Sequence, residues 1–178
     1  MGVTTYRPCV VWLTGLSGAG KSTLALALEH AMESRSGSVY VLDGDLLRRG
    51  LCSDLGYSRS DRAENIRRAG EVASIVLDAG LTVVAAFIAP YRADRDRLRT
   101  RFPPGRFIEV FVNAPLAVCE QRDVKGLYAR ARRGEIADFT GVSAPFEPPL
   151  HPDIELRTDL KPVDECVADV LRFLDRRA

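Results

Sequence analysis

Residues 10–23 read Val10-Val11-Trp12-Leu13-Thr14-Gly15-Leu16-Ser17-Gly18-Ala19-Gly20-Lys21-Ser22-Thr23, an apolar run that breaks into glycines before an Ala- and Leu-rich segment follows. This order predicts a buried strand, a loop and a helix, and the loop matches the pattern G-x-x-x-x-G-K-[ST]. The glycines let backbone N–H groups point into one concavity at the positive end of the helix dipole, where an oxyanion binds. The stretch therefore predicts a phosphate-binding loop (P-loop) over residues 15–23.

The loop predicts ATP and Mg²⁺ as ligands. Lys21 offers a point charge to the outer phosphates, and the Ser22 hydroxyl is suited to ligate the Mg²⁺ that accompanies ATP. The alternative is a plain glycine turn, which the match at every position and on both flanks disfavours. The residues expected to bind the nucleotide are Gly15, Leu16, Ser17, Gly18, Ala19, Gly20, Lys21, Ser22 and Thr23.

Composition restricts the class of protein. A chain of 178 residues with 46% hydrophobic and 28% charged residues predicts one globular domain over 1–178. The net charge of +1 comes from interspersed acids and bases, so we expect small-molecule substrates and no nucleic-acid partner. No apolar run approaches the ~18 residues of a membrane span, and no signal segment precedes the first strand, so we expect a cytoplasmic protein. Widely spaced cysteines without a C-x-x-C pair predict reduced, buried thiols; they are Cys9, Cys52, Cys119 and Cys166.

Strands and helices alternate along the rest of the chain. This alternation predicts an α/β fold, with a parallel five-stranded sheet sandwiched by helices, of the P-loop NTPase and nucleotide-kinase-like kind. We expect the helix at 92–101, rich in Arg and Asp, to be mostly a solvated charged surface. Further strands are predicted at 38–42, 81–88, 107–113 and 154–158, and further helices at 60–80, 115–122 and 163–174.

Two carboxylates follow the second predicted strand. Ligands bind at the carboxyl ends of the strands in such sheets, so Asp43 and Asp45 should face the P-loop. They are candidates for the Mg²⁺ shell or for a catalytic base. The alternative is a polar turn that caps a short helix at 46–51.

The helix at 60–80 begins with a polar face. Arg62 and Asn65 are three residues apart, so they share one side near the helix start, where an anion can dock. Asp61 and Glu64 form a capping pattern at the same end. The alternative is that Arg62 and Asn65 are two exposed polar residues.

Residues 123–141 depart from the strand-helix pattern. Basic side chains crowd a short helical segment, and glycines flank it as possible hinges. A lid over about 123–147 is predicted, because transfer of a phosphoryl group requires exclusion of water. The alternative is a solvated basic helix. The basic residues are Lys125, Arg130, Arg132 and Arg133, and the glycines are Gly126, Gly134 and Gly141.

Taken together, these motifs resemble the adenylyl-sulfate kinases, which phosphorylate the 3′-hydroxyl of adenosine 5′-phosphosulfate (APS) to give 3′-phosphoadenosine 5′-phosphosulfate (PAPS). Only the P-loop is generic to ATP-binding proteins; the other motifs in this order are specific. The resemblance spans about 10–158 and rests on residues 15–23, 42–48 (LDGDLLR), 55–58 (LGYS), 61–68 (DRAENIRR), 87–91 (FIAPY), 123–128 (DVKGLY) and 139–141 (FTG).

The resemblance implies roles for individual residues. Asp45 would be the base against the acceptor hydroxyl, Asp43 would belong to the Mg²⁺ site with Ser22, and Lys21 and Lys125 would act on the phosphates. Arg122 and Thr158 would lie near the base of ATP. A homodimer in sulfate assimilation is also implied. The residues that would bind APS are Asp45, Arg48, Tyr57, Arg62, Asn65, Ile88, Ala89, Lys125, Gly126, Leu127 and Phe139, with Tyr57 and Phe139 around the adenine.

The sequence departs from the family pattern at three places. Ala89 replaces a common Ser, which excludes phosphoserine chemistry there, and Tyr57 replaces the commoner Phe, keeping the stacking face. Residues 142–144 differ from the usual I-D-x, so the anchor of the lid is open. The length leaves no room for the ATP sulfurylase domain of some members, so a stand-alone kinase is expected.

Two other functions are weighed against this one. A P-loop kinase for another small acceptor, such as a nucleotide, sugar acid or antibiotic hydroxyl, leaves Arg62, Asn65 and the two aromatic residues without a role. A guanine-nucleotide switch needs N-K-x-D for its base, whereas Asn65 and Asn113 are followed by Ile and Ala.

Overall fold

The computed structural model describes residues 7–35 and 38–177. Strands and helices alternate as predicted, with element ends shifted by a few residues. The strands are β1 (Val10–Thr14), β2 (Val39–Asp43), β3 (Thr82–Ala86), β4 (Phe107–Asn113) and β5 (Ile154–Arg157). The helices are α1 (Lys21–Glu33), α2 (Gly44–Arg49), α3 (Arg59–Asp78), α4 (Arg92–Arg99), α5 (Leu116–Arg122), α6 (Leu127–Arg132) and α7 (Val163–Asp175).

The five strands form one parallel sheet in the order β2-β3-β1-β4-β5. β1 lies in the middle, with β3 on one side and β4 on the other. The chain leaves β1 toward β2 and later crosses to β4, so the strand order reverses at the carboxyl end of β1. That reversal point is where open α/β sheets bind ligands, and the loop at 15–23 begins there. The predicted fold is confirmed.

Helices cover both faces of the sheet because β1 is apolar on both sides. Val11 and Leu13 point into a core built with α1 and α7. Val10 and Trp12 point into the opposite core, built with α3 and α4. Trp12 stacks on Phe87 there, with ring centroids 4.8 Å apart. The period of two along the strand thus assigns each side chain to one of two cores.

Two predicted boundaries are wrong. β3 ends at Ala86 instead of residue 88, and the backbone beyond it turns sharply, with Ala89 at a φ of 42°. The cap of α3 is Ser58, whose Oγ accepts from the Asp61 N–H at 3.1 Å, and not the pair of Asp61 and Glu64. A serine one turn earlier provides the cap, so α3 begins at Arg59.

The prediction of a solvated α4 is wrong for two of its charges. Asp94 and Arg95 are buried. Arg95 Nε donates to Glu109 Oε1 of β4 at 2.9 Å, so a charged pair crosses from α4 to the sheet. Burial of both charges requires such pairing.

All four cysteines are buried and free, as predicted. Burial raises the pKa of each thiol, so they remain protonated near neutral pH. Among the helices in the described part of the chain, none is long and apolar enough to cross a membrane.

Candidate active site

The P-loop packs so closely that two of its residues must be glycine. A Cβ on Gly15 would lie 2.3 Å from the Val112 carbonyl oxygen. A Cβ on Gly18 would lie 2.8 Å from the Cys119 carbonyl oxygen, and Gly18 has a φ of 75°. The loop therefore packs directly against the backbone of β4 and of α5.

Helix α1 begins at Lys21 and presents an uncapped amino end to the loop. Its N-cap, Gly20, has a φ of 99° and no side chain to accept from the first-turn N–H groups. Those donors and the helix dipole form an anion site. The Lys21 Nζ donates to the Leu16 carbonyl oxygen at 2.7 Å, so the ammonium is held across the loop. Desolvation lowers the pKa of Lys21 to about 8.

Nucleotide affinity should therefore depend on pH. The ammonium form is the one that attracts phosphates, and in the free protein its pKa is about 8. Affinity for AMPPNP, a non-hydrolysable ATP analogue, should be constant below pH 8 and fall as the pH rises above it. Titration calorimetry at pH 7 and pH 9 measures this fall. Lys21→Met should bind weakly at both values; equal wild-type affinity at both would contradict the prediction.

Asp43 joins the P-loop to the start of α2. Its Oδ2 accepts from the Ser22 hydroxyl at 2.9 Å, and its Oδ1 accepts from the Asp45 N–H at 2.8 Å. The carboxylate therefore caps α2 and also faces the P-loop, and its role toward Mg²⁺ or as a base stays a prediction. Asp45 itself caps nothing: it lies in the first turn of α2.

Asp45 points across the cleft to the predicted lid. Its Oδ2 accepts from Lys125 Nζ in an ion pair, and both side chains are 59% exposed. Exposed pairs of this kind contribute little to stability. The contact brings the predicted base and the predicted lid cation together at the mouth of the cleft.

A cleft of about 760 Å³ runs from the P-loop to α3 and the lid segment. Among the predicted site residues, Gly15, Leu16, Ala19 and Gly126 do not line its wall. The predicted residues that do line it are Ser17, Gly18, Gly20, Lys21, Ser22, Thr23, Asp43, Asp45, Arg48, Tyr57, Arg62, Asn65, Ile88, Ala89, Arg122, Lys125, Leu127, Phe139 and Thr158.

Arg62 and Asn65 line the cleft where α3 begins. Both are buried, so the alternative of two exposed polar residues is wrong. The Asn65 Oδ1 has no hydrogen-bond partner. An unpaired buried amide oxygen is unfavourable in the empty protein, and it marks a position where a ligand can donate a hydrogen bond.

Arg62 also holds the lid segment. Its Nε donates to the Tyr57 carbonyl oxygen at 2.8 Å and its Nη1 to Thr140 Oγ1 at 2.9 Å. Its Nη2 donates to the Asp138 carbonyl oxygen. Three donors are therefore engaged by the protein itself, and desolvation lowers the pKa of Arg62. Sequence reasoning missed these lid contacts.

Arg48 supports the loop that carries Tyr57. Its Nη1 donates to the carbonyl oxygens of Leu55 and Gly56 at 3.2 and 3.0 Å. Its guanidinium lies 4.3 Å from the centroid of the Tyr57 ring, a cation–π contact. Tyr57 is 57% exposed and lines the cleft, and the Arg62 guanidinium lies 5.7 Å from the centroid of the same ring.

Tyr128 of α6 connects the P-loop to Phe139. Its hydroxyl donates to the Ser17 carbonyl oxygen at 2.9 Å, and its ring meets Phe139 edge-to-face with centroids 5.0 Å apart. Both rings are buried. Sequence reasoning quoted Tyr128 within a motif but assigned it no role, because its partners are distant in the chain.

The lid segment is only partly the solvated basic helix of the alternative interpretation. Arg130 and Arg133 are exposed and pair with Glu135, and Arg132 pairs with Glu120. The apolar side of α6 packs into the core. The three predicted hinge glycines have positive φ values of 65°, 77° and 92°; they are Gly126, Gly134 and Gly141.

The unusual residues 142–144 form their own anchor. The Phe139 carbonyl oxygen accepts from the N–H groups of all three residues, and Ser143 Oγ accepts from the Phe139 N–H at 2.9 Å. This turn holds Phe139 in the cleft wall without the acidic residue of the usual pattern.

Arg122 and Thr158 donate hydrogen bonds to carbonyl groups of the P-loop. The Thr158 hydroxyl donates to the Ala19 carbonyl oxygen at 2.7 Å. Arg122 Nη1 donates to the Gly18 carbonyl oxygen at 3.3 Å and Nη2 to the Thr158 carbonyl oxygen at 2.7 Å.

Comparison with known proteins gives consistent matches along the chain. Residues 7–157 match the adenylylsulphate kinase family. The adenylyl-sulfate kinase of Marinobacter nauticus is 55% identical over 171 residues, which cover 96% of this chain and 86% of the relative. The structure of a Mycobacterium tuberculosis APS kinase in complex with AMPPNP and APS is 44% identical, with a TM-score of 0.91 over 96% of this chain and 99% of that one. A hexameric APS kinase from Thiobacillus denitrificans is 32% identical, with a TM-score of 0.72 over 98% of this chain and 30% of that one.

Proposed function

The chain belongs to the adenylyl-sulfate kinase family, and we propose that it transfers the γ-phosphoryl group of ATP to the 3′-hydroxyl of APS, giving PAPS and ADP in sulfate activation. It is a phosphotransferase with an alcohol group as acceptor. The observation that carries the proposal is the shared cleft, whose wall contains the P-loop, Asp45 and Asn65 with its buried, unpaired amide oxygen.

The P-loop end holds ATP. The N–H groups of α1 and of residues 15–23 receive the phosphates, and Lys21 compensates their charge. Arg122 and Thr158 lie beside the base, where they also keep the loop in shape. A bound triphosphate replaces the Leu16 carbonyl oxygen as the main partner of Lys21.

Ser22 and Asp43 are the residues of this chain that would hold Mg²⁺. They fit that ion because both offer oxygen, the ligand Mg²⁺ prefers, and their side chains already lie 2.9 Å apart beside the P-loop. When bound, Mg²⁺ neutralises charge on the phosphates. The Asp45 N–H fixes the orientation of the Asp43 carboxylate toward this position.

The α3 end holds APS. Asn65 Oδ1 accepts a hydrogen bond from the substrate, and the free donors of Arg48 and Arg62 face its phosphosulfate. Tyr57 and Phe139 contact the two faces of the adenine. Ile88, Ala89 and Leu127 complete the wall.

Asp45 accepts the proton of the 3′-hydroxyl as that oxygen attacks the γ-phosphorus. Its partner in the free protein, Lys125, then turns to the phosphates and stabilises the charge that develops in transfer. The ion pair between Asp45 and Lys125 thus keeps both groups at the reacting centre before the substrates arrive.

The lid at 123–147 closes over both substrates and excludes water. Gly126, Gly134 and Gly141 are its hinges, since their positive φ values are tolerated by glycine. Tyr128 and Arg62 tie the lid to the ATP end and to the APS end, respectively.

One assay tests this function against its alternatives. ADP release is measured with ATP and APS, with ATP and other hydroxyl acceptors, and with ATP alone. Release that requires APS, with PAPS as the product, supports the proposal. Faster release with a sugar acid or nucleotide acceptor, or equal release without any acceptor, contradicts it.

Asn65→Ala should weaken APS binding without destabilising the protein. Loss of a buried hydrogen bond to the substrate should raise the KM for APS about tenfold or more, with the KM for ATP within about twofold. Because Oδ1 has no partner in the protein, its removal should not lower the unfolding midpoint. Initial rates and thermal unfolding measure both effects.

The other asparagine provides the matched control for this variant. Asn113 donates to Glu155 at the sheet edge, so Asn113→Ala should leave both KM values unchanged. Equal losses for the two substrates in Asn65→Ala would contradict the assignment. Arg62→Ala should also raise the KM for APS, but it removes lid contacts as well.

We also propose a homodimer. The Thiobacillus denitrificans relative is hexameric, and light scattering on this chain distinguishes the two assemblies. The single domain over 1–178 and the cytoplasmic location stay predictions.

A further inference from the structure

Arg95 is a buried charge to which phosphoryl transfer assigns no role. It is 2% exposed, and its guanidinium donates in three directions. Nε donates to Glu109 Oε1 at 2.9 Å, Nη1 to the Ala89 carbonyl oxygen at 2.6 Å, and Nη2 to the Glu147 carbonyl oxygen at 2.6 Å. The planar fork of an arginine suits such a set of acceptors.

One of these acceptors belongs to the cleft wall, and another belongs to the end of the lid segment. Ala89 is in the wall that follows β3, and Glu147 ends the lid segment. The Glu147 N–H also donates to the Pro90 carbonyl oxygen at 2.8 Å. The cleft wall and the end of the lid are thus hydrogen-bonded to each other and to the Arg95 guanidinium. Glu109 of β4 holds that guanidinium in place.

The wall requires such a support because its backbone is strained. Ala89 has a φ of 42°, a left-handed conformation that is unfavourable for a residue with a Cβ. The Thr14 hydroxyl donates to the carbonyl oxygen of neighbouring Ile88 at 2.6 Å and lies 3.5 Å from the Ala89 carbonyl oxygen. The bond from Arg95 opposes relaxation of Ala89.

We infer that Arg95 is a positioning residue for the acceptor: it fixes the Ala89 wall of the APS end of the cleft and anchors the end of the lid to that wall. The inference rests on the proposed function. Arg95 touches neither substrate, so its effect on the reaction passes through Ala89 and Glu147. Among the described residues, no hydrogen bond joins residues 15–23 to Arg95, Glu109 or Glu147, so the ATP end of the cleft should respond little to the loss of Arg95.

Arg95→Lys tests the inference, because lysine keeps the charge beside Glu109 but cannot reach three acceptors at once. The kcat/KM for APS should fall on the order of tenfold or more, since small displacements of a substrate-positioning wall are costly. The KM for ATP and the calorimetric affinity for ADP should stay within about twofold. Wild-type activity with APS is measured first, so that failure of the proposed function is recognised separately.

Arg99→Lys is the matched control. Arg99 belongs to the same ion-pair cluster, 3.4 Å from Glu109 and 2.8 Å from Asp153, but it contacts neither Ala89 nor Glu147. It should leave all three quantities unchanged. An equal fall in Arg99→Lys, or equal effects on both substrates in Arg95→Lys, overturns the inference.

A second background keeps the test decisive if Arg95→Lys does not fold. Glycine adopts a φ of 42° without strain, so Ala89→Gly removes the backbone strain that the bond from Arg95 opposes. Arg95→Lys is then compared with Arg95 in the Ala89→Gly protein. Arg95 still anchors Glu147 in this background, so a fall in kcat/KM for APS supports the inference, and no fall overturns it.

Discussion

Lys21→Ala is expected to lower kcat by about 10³-fold, with the protein still folded. Phosphoryl transfer depends on positioning and charge stabilisation, and Lys21 is the cation that the P-loop holds across its own backbone. Because desolvation already disfavours the ammonium form, removal of the charge should not lower the unfolding midpoint. Steady-state ADP release and thermal unfolding measure the two quantities.

Lys21→Met separates charge from packing in this experiment. Methionine keeps most of the aliphatic stem, so a loss of turnover equal to that of Lys21→Ala assigns the effect to the ammonium. Near-normal turnover in either variant would show that the loop does not bind the transferred phosphate.

Asp45→Asn is expected to lower kcat by about 10²-fold or more, with little change in either KM. Asparagine keeps the shape of the side chain but loses the negative charge and the basicity. Asp43, and not Asp45, caps α2, so neither Asp45→Asn nor Asp45→Ala removes a helix cap. A loss of activity in either variant can therefore be read without a correction for the loss of a helix cap.

Asp43→Asn, measured in parallel, distinguishes the roles of the two carboxylates. Asparagine still accepts from the Asp45 N–H and remains a good cap, so the variant should fold. Activity that excess Mg²⁺ restores in Asp43→Asn, but not in Asp45→Asn, supports the metal role for Asp43 and the base role for Asp45. The reverse pattern, or full turnover in Asp45→Asn, contradicts the assignments.

Patterns of short range predicted most of the fold. The apolar run of β1 and the glycines at 15–20 form patterns within a few neighbouring residues. Their structure can therefore be predicted without the rest of the chain. The predicted end of β3 at residue 88 and the predicted cap of α3 at Asp61 are wrong. Strand and helix ends depend on which residue makes the final hydrogen bond.

The candidate site was predicted as a set of residues but not as a set of contacts. Asn65 and Arg62 were singled out by their spacing on one helix face and by family resemblance. Nothing in that spacing distinguishes the unpaired oxygen of Asn65 from the three engaged donors of Arg62. Likewise, the sequence does not distinguish Asp43 from Asp45. Only the hydrogen bonds show that Asp43 caps α2 and that Asp45 pairs with Lys125 instead.

The sequence by itself determined the α/β fold, the P-loop, the family and part of the cleft wall, since each depends on local pattern or on motifs in order. Only the tertiary structure decided that Arg95 is buried instead of solvated and that Tyr128 joins the P-loop to Phe139. Their partners lie 52 residues away at Glu147 and 111 residues away at Ser17. Whether a charged or phenolic side chain is solvated or paired depends on which distant carbonyl groups the folded sheet brings within hydrogen-bond distance, and residue type does not encode that.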